Sequence, residues 1–146
     1  MNIPRRPGYR PWMVVRRFAR DVGSLPDIVG FVNEFGGSHG LGDDPRYDAE
    51  LIIEELFTNL VRHGTGTTSE IEIALARDGD ALIIRLRDRV AAPFDPSRVH
   101  HVASGDELGP LPGGRGLELV RRIADDVRFE HRDGISTITV TKRIPA

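Results

Sequence analysis

Glu55 and Asn59 stand four residues apart in DAELIIEELFTNLVRHG, a stretch whose apolar residues recur at helical spacing. At about 100° per residue, Ala49, Ile53, Leu56 and Leu60 share one direction and form a buried stripe. Glu55 and Asn59 lie together on its border, His63 follows one turn later, and Glu54 falls on the opposite, solvent side. An amide oxygen is a hard ligand suited to Mg²⁺, and a nearby carboxylate can take a proton from a water or a hydroxyl. Alone, the pair reads first as the ordinary polar border of a helix.

Asp88 is a second candidate. Leu82, Ile84 and Leu86 alternate with Ile83, Arg85 and Arg87 as on a strand, and Asp88 continues the inward, even-numbered parity at the strand's end. A carboxylate turned toward the core needs a hydrogen-bond donor. The exocyclic amine of an adenine is such a donor. A strand-end aspartate already turned to solvent, or capping a local amide, is an equal alternative.

The third candidate is GGRGLELV, with Gly113, Gly114, Arg115 and Gly116 at the start of a helical pattern. Glycines there let the backbone fold tightly and bring an anion up to the positive end of a helix dipole, and Arg115 can add a charged contact to phosphate. A glycine-rich loop before a helix is common, so this motif is weak alone. It matches neither the P-loop pattern nor a strand-linked G-x-G-x-x-G.

The elements that must position these residues follow from periodicity. Residues 12–18 (WMVVRRF) read as a first strand. Ser24 is an N-cap ahead of Pro26, Ile28, Phe31, Val32 and Phe35 follow at helical spacing, and Gly36-Gly37 ends that helix. A second helix runs from about Asp43-Asp44-Pro45 to His63, where Gly64 stops it. A hairpin with Ile71, Ile73 and Leu75 on one strand and Leu82, Ile84 and Leu86 on the other turns at Asp78-Gly79. Residues 90–112 lose periodicity and collect prolines and glycines, the mark of a functional lid or a disordered segment; as a lid it should be mobile without ligand. A third helix carries Leu117, Val120 and Ile123, and a closing hairpin turns around Asp133-Gly134. The order is β-α-α-β-β-lid-α-β-β. Hairpins and helices in separate blocks predict an α/β two-layer sandwich, its mixed, mostly antiparallel sheet covered on one face by three helices.

Composition narrows the function classes. A chain of 146 residues, 39% hydrophobic and 29% charged, suits one domain, residues 12–146, after a flexible segment over residues 1–11. The net charge of −2 gives no general pull toward nucleic acid. The amino-end arginines (Arg5, Arg6, Arg10, Arg16, Arg17, Arg20) read as a solvated, partly frayed start rather than a DNA-binding arm. With no cysteine there is no disulfide framework, thiolate nucleophile or cysteine zinc site, which suits the cytoplasm. The first residues lack the apolar stretch of a signal peptide, and no apolar run has the length to cross a membrane. The five histidines have no metal-ligand spacing.

Taken together and in order, the three candidates resemble the N, G1 and G2 boxes of the GHKL, or histidine-kinase-like, ATPase superfamily. EELFTNLVRHG (residues 54–64) resembles the N box, RDRVAAPFDP (residues 87–96) the G1 box, and GGRGLELVRRIADDV (residues 113–127) the G2 box at the end of an ATP lid. The small size, the histidine after the asparagine, the PFDP segment and the ending TVTKRI are similar to the anti-sigma-factor serine kinases. The resemblance implies the Bergerat fold and ATP with Mg²⁺ as cofactors. It puts Asn59 at Mg²⁺, Glu55 at the general base for a serine hydroxyl, Asp88 at adenine, and Gly113, Gly114 and Gly116 at the phosphates, with His63 and Arg115 beside them. It implies a kinase that binds a sigma factor or equivalent regulator and phosphorylates a STAS-type anti-anti-sigma protein, commonly as a homodimer. One position departs: the family's glycine two residues after the aspartate is Val90 here. The alternative is an ATP-binding protein-interaction switch of the same fold that transfers no phosphate.

Overall fold

The computed structural model describes residues 12–63, 69–89 and 114–145. Five strands, β1 (Val14–Phe18), β2 (Ile71–Asp78), β3 (Ala81–Arg89), β4 (Asp126–Arg132) and β5 (Ile135–Arg143), form one sheet in the order β1-β2-β3-β5-β4. The sheet expected as mixed and mostly antiparallel is antiparallel at every pairing among the described residues. Three helices accompany it: α1 (Leu25–Ser38), α2 (Asp43–His63) and α3 (Gly114–Ile123). The expected lid, residues 90–112, lies outside the described residues, as do Gly113 and the segment 1–11.

Strand parity builds the core. Ile71, Ile73 and Leu75 on β2, Leu82, Ile84 and Leu86 on β3, and Ile138 and Val140 on β5 are buried together with Phe31, Phe35, Ile52, Ile53, Leu56, Phe57, Leu60, Leu117 and Val120 from the helices. Burial of an aliphatic side chain of this size contributes about 1.5–3 kcal/mol, so this shared apolar layer, more than helix propensity, holds the helices on the sheet. The β4–β5 hairpin turns where expected, with Asp133 and Gly134 both at positive φ (54° and 75°) as a tight primed turn requires. The β2–β3 turn sits one residue later than expected. Asp78 still pairs with Ala81, leaving Gly79 (φ 61°) and Asp80 to make the loop.

Helix α1 corrects two expectations. Ser24 has helical backbone angles and its hydroxyl donates to Ala19 O at 2.9 Å, so it caps nothing; a 3₁₀ turn over Val22–Ser24 runs straight into α1. Gly36-Gly37 does not end the helix. Gly36 is buried because Arg46 lies against it: a β-carbon there would come within 2.8 Å of Arg46 Cγ. The chain leaves the helix at Gly40, whose φ of 68° no β-branched residue would accept. Arg77 then donates to the carbonyls of His39 (2.7 Å) and Gly40 (3.0 Å) at that end.

Helix α2 has the bounds the sequence predicts, with Asp43 and Asp44 in its first turn and Arg62 and His63 in its last. Both charge sets favour the helix dipole. No described helix is long and apolar enough to cross a membrane.

Candidate functional site

Ala49, Ile53, Leu56 and Leu60 form the buried stripe of α2 as expected, but the stripe is wider than the sequence indicates. Ile52, Phe57 and Asn59 are buried with it, and Asn59 is only 2% exposed. Asn59 is therefore inside the packed layer rather than on its border. Glu55 is half-buried one turn earlier, Glu54 is exposed, and His63 is exposed in the last turn. A buried amide is costly without partners, and Asn59 has an interaction within the chain.

Asp88 ends the inward row of β3 and is 1% exposed, as strand parity predicts. Its donor within the chain is Arg20, just after β1. Arg20 Nη1 donates to Asp88 Oδ2 at 3.1 Å and Nη2 donates to Oδ1, a two-pronged ion pair in which the arginine side chain is 6% exposed. Nη1 also donates to the carbonyl of Leu60 at 3.1 Å, and Nε to the carbonyl of Ser69 at 3.1 Å. One guanidinium thus ties the end of β1 to the turn of α2 that carries Asn59, to the chain entering β2, and to the end of β3.

This corrects the reading of Arg20 as part of a solvated start. The other described arginines of that group are also paired: Arg16 with Glu34 at 2.7 Å and Arg17 with Glu72 at 3.9 Å. Register sets the second pair, since Arg17 lies directly opposite Glu72 across β1 and β2. Arg5, Arg6 and Arg10 lie outside the described residues.

The sequence reading also passed over Ser136. It sits opposite Asp88 in the β3–β5 register, is 3% exposed, and its hydroxyl is 3.0 Å from His131 Nδ1. The available signal was parity on β5, where Ser136 takes the inward slot shared with Ile138 and Val140.

Helix α3 begins at Gly114, inside the glycine-rich motif, and packs against α2. Gly114, Arg115 and Gly116 therefore open a helix as expected. Among the described residues α2 packs against both α3 and β3, the strand that ends at Asp88, with Arg20 as the direct link between Asp88 and the Asn59–Leu60 turn. Among those residues no group of three or more His, Cys, Asp or Glu is gathered. A groove of about 260 Å³ lies elsewhere, between the start of α1 and α2, lined by Leu25, Pro26, Ile28, Val29, Glu50 and Glu54. None of the candidate site residues lines it.

A two-layer α/β sandwich with a buried strand-end aspartate beside an asparagine-bearing helix is the architecture of the histidine-kinase-like ATPases. The chain belongs to that family: the model for the histidine kinase-like ATPase domain matches residues 18–142. It is similar to the serine-protein kinase RsbW of Bacillus subtilis, 27% identical over 83% of this chain and 81% of that one. It is likewise similar to the serine/threonine-protein kinase BtrW of Bordetella bronchiseptica, 27% identical over 66% and 69%. The fold matches the structure of the RsbU and RsbW domains of Rv1364c from Mycobacterium tuberculosis (TM-score 0.65, 20% identity), covering 92% of this chain and 33% of that longer one. It also matches the SiaB–SiaC complex of Pseudomonas aeruginosa (TM-score 0.56, 12% identity), over 90% and 88%. The similarity to anti-sigma-factor serine kinases read from the sequence stands with these relatives.

Proposed function

We propose that this chain is an ATP- and Mg²⁺-dependent serine kinase of the partner-switching kind. It binds a sigma factor or equivalent regulator and phosphorylates a serine on a STAS-type antagonist. The observation that carries this reading is the placement of half-buried Glu55 one turn before buried Asn59 on α2, with Arg20 joining that helix to buried Asp88. The kinase names of the relatives supply the chemistry.

The residues present fit the cofactor. Asn59 offers a buried neutral oxygen for the cation, Asp88 a buried acceptor for the base, and Gly114 and Gly116 a helix start for phosphate. Gly113, Arg115 and His63 belong to the same proposed site. Bound Mg²⁺-ATP supplies the phosphoryl group and neutralises its charge. Glu55 would take the proton of the attacking serine hydroxyl, whose oxygen would accept the γ-phosphoryl group as ADP leaves.

Phosphate transfer to a purified STAS-type antagonist, followed with radiolabelled ATP, tests this. Glu55→Gln should still bind ATP while transfer falls about 10²–10⁴-fold, the usual worth of a general base. Exposed Glu54→Gln should leave transfer unchanged. Near-normal transfer by Glu55→Gln, or an equal loss from Glu54→Gln, removes the base assignment. A wild type that binds ATP and partner yet transfers nothing is the non-catalytic switch.

A further inference from the structure

Arg20 stands apart from the residues that the proposed reaction uses, yet it is buried against them and bonds directly to Asp88 and to the turn of α2 that carries Asn59. Its side chain is 6% exposed, and every nitrogen of the guanidinium donates: Nε to Ser69 O, Nη1 to Leu60 O and Asp88 Oδ2, Nη2 to Asp88 Oδ1. The guanidinium is planar and rigid, so a two-pronged pair fixes the plane of the carboxylate it holds. Each carboxylate oxygen has more than one acceptor position. With one taken by Arg20, each oxygen of Asp88 keeps further acceptor capacity.

Paired in this way Asp88 is a carboxylate, which accepts hydrogen bonds and donates none. Opposite position 6 of a purine, such a group favours an amino group and opposes a carbonyl. A neutral carboxyl would not discriminate in this way, because its O–H donates to a carbonyl. A buried carboxylate deprived of its counter-charge is costly and loses the partner that fixes its plane. The identity of the residue holding Asp88 therefore bears on which base is accepted.

We infer that Arg20 is a positioning residue that sets base specificity: it holds Asp88 as a fixed acceptor and so selects a 6-amino purine nucleotide over a 6-oxo one. The inference rests on the proposal that a nucleotide base lies against Asp88. Because Arg20 also holds the carbonyl of Leu60, it keeps Asp88 in register with the Asn59 turn, so base and phosphate ends of the site are set by one side chain.

The test compares ATP with ITP, which differs in carrying a carbonyl at position 6 and a proton on N1. Dissociation constants for both are measured by calorimetry on the wild type, Arg20→Met, Arg20→Lys and Asp88→Asn. The wild type should prefer ATP by about 100-fold or more, as expected where a buried polar group would be left mismatched. Arg20→Met should lower that ratio at least about 10-fold, the scale of one charge-assisted hydrogen bond. Asp88→Asn, whose amide can also donate, should lower it comparably. Arg20→Lys, which keeps the charge without the fork, should fall between. A merely structural arginine would weaken both nucleotides equally, and an unchanged ATP-to-ITP ratio in Arg20→Met overturns the inference. If Arg20→Met does not fold, an unchanged ratio in Arg20→Lys overturns it instead. A wild type that prefers ATP while the variants keep that ratio leaves the nucleotide reading standing and sinks only the role of Arg20. A wild type that binds neither nucleotide sinks both.

Discussion

Asn59 and Arg20 carry the two residue-level claims, and each has a measurable cost. Asn59 is the one amide buried in the α2 stripe. Asn59→Ala should remove the magnesium-dependent part of the rise in melting temperature that ATP produces, and leave a smaller nucleotide-only part. A full magnesium-dependent shift in the variant would take Asn59 out of the metal site. The Arg20–Asp88 pair is costly to break from one side, because the remaining charge stays buried. Asp88→Ala should destabilise the fold by about 3–5 kcal/mol in urea unfolding, whereas removal of the exposed partner in Arg16–Glu34 should cost no more than about 1 kcal/mol. Equal small losses at both would mean that the pair is not formed in solution. Parity offered the inward Asp88 as one of two equal readings, and the resemblance of its segment to the G1 box favoured it. Arg20 was not legible, because its partners lie 40, 49 and 68 residues away along the chain. Local pattern shows a run of arginines and says nothing about a guanidinium meeting three other segments.

At the scale of elements, α2 was readable from end to end because every local signal agrees: acidic first turn, unbroken apolar stripe, basic last turn, then glycine. Its depth of burial was not readable. How much of a helix face is covered depends on neighbours, and α3, which packs on α2, arrives from beyond the lid segment. Helix α1 shows the opposite failure. Two consecutive glycines are a strong stop signal, but here Gly36 lets Arg46 pack against the helix while Gly37 faces open space. Substitution separates these roles. Gly37→Ala and Gly30→Ala meet nothing within 4 Å and should each stabilise by about 0.5–1 kcal/mol. Gly36→Ala must displace Arg46 and should lose most or all of that gain. Urea unfolding of the three variants distinguishes them, and a stabilised Gly36→Ala would deny the close approach.

For the molecule as a whole, the layer order was legible from the sequence of elements, since consecutive hairpins force antiparallel neighbours and the helices must cover the apolar face. The placement of β5 between β3 and β4 brings Ser136 beside Asp88, a long-range consequence that no window of sequence contains. The central claim is that nucleotide binds at the turn of α2 bearing Asn59, near Asp88, and not in the groove between α1 and α2. Chemical-shift mapping on isotope-labelled protein with Mg²⁺-ATP tests it most directly. The account predicts saturable shifts in the Asn59 side-chain amide, the Arg20 Nε–H and the backbone amides of Asp88 and Gly114, with Val29 and Glu54 unmoved. Shifts confined to Leu25, Val29, Glu50 and Glu54, or none at saturating nucleotide, would contradict it.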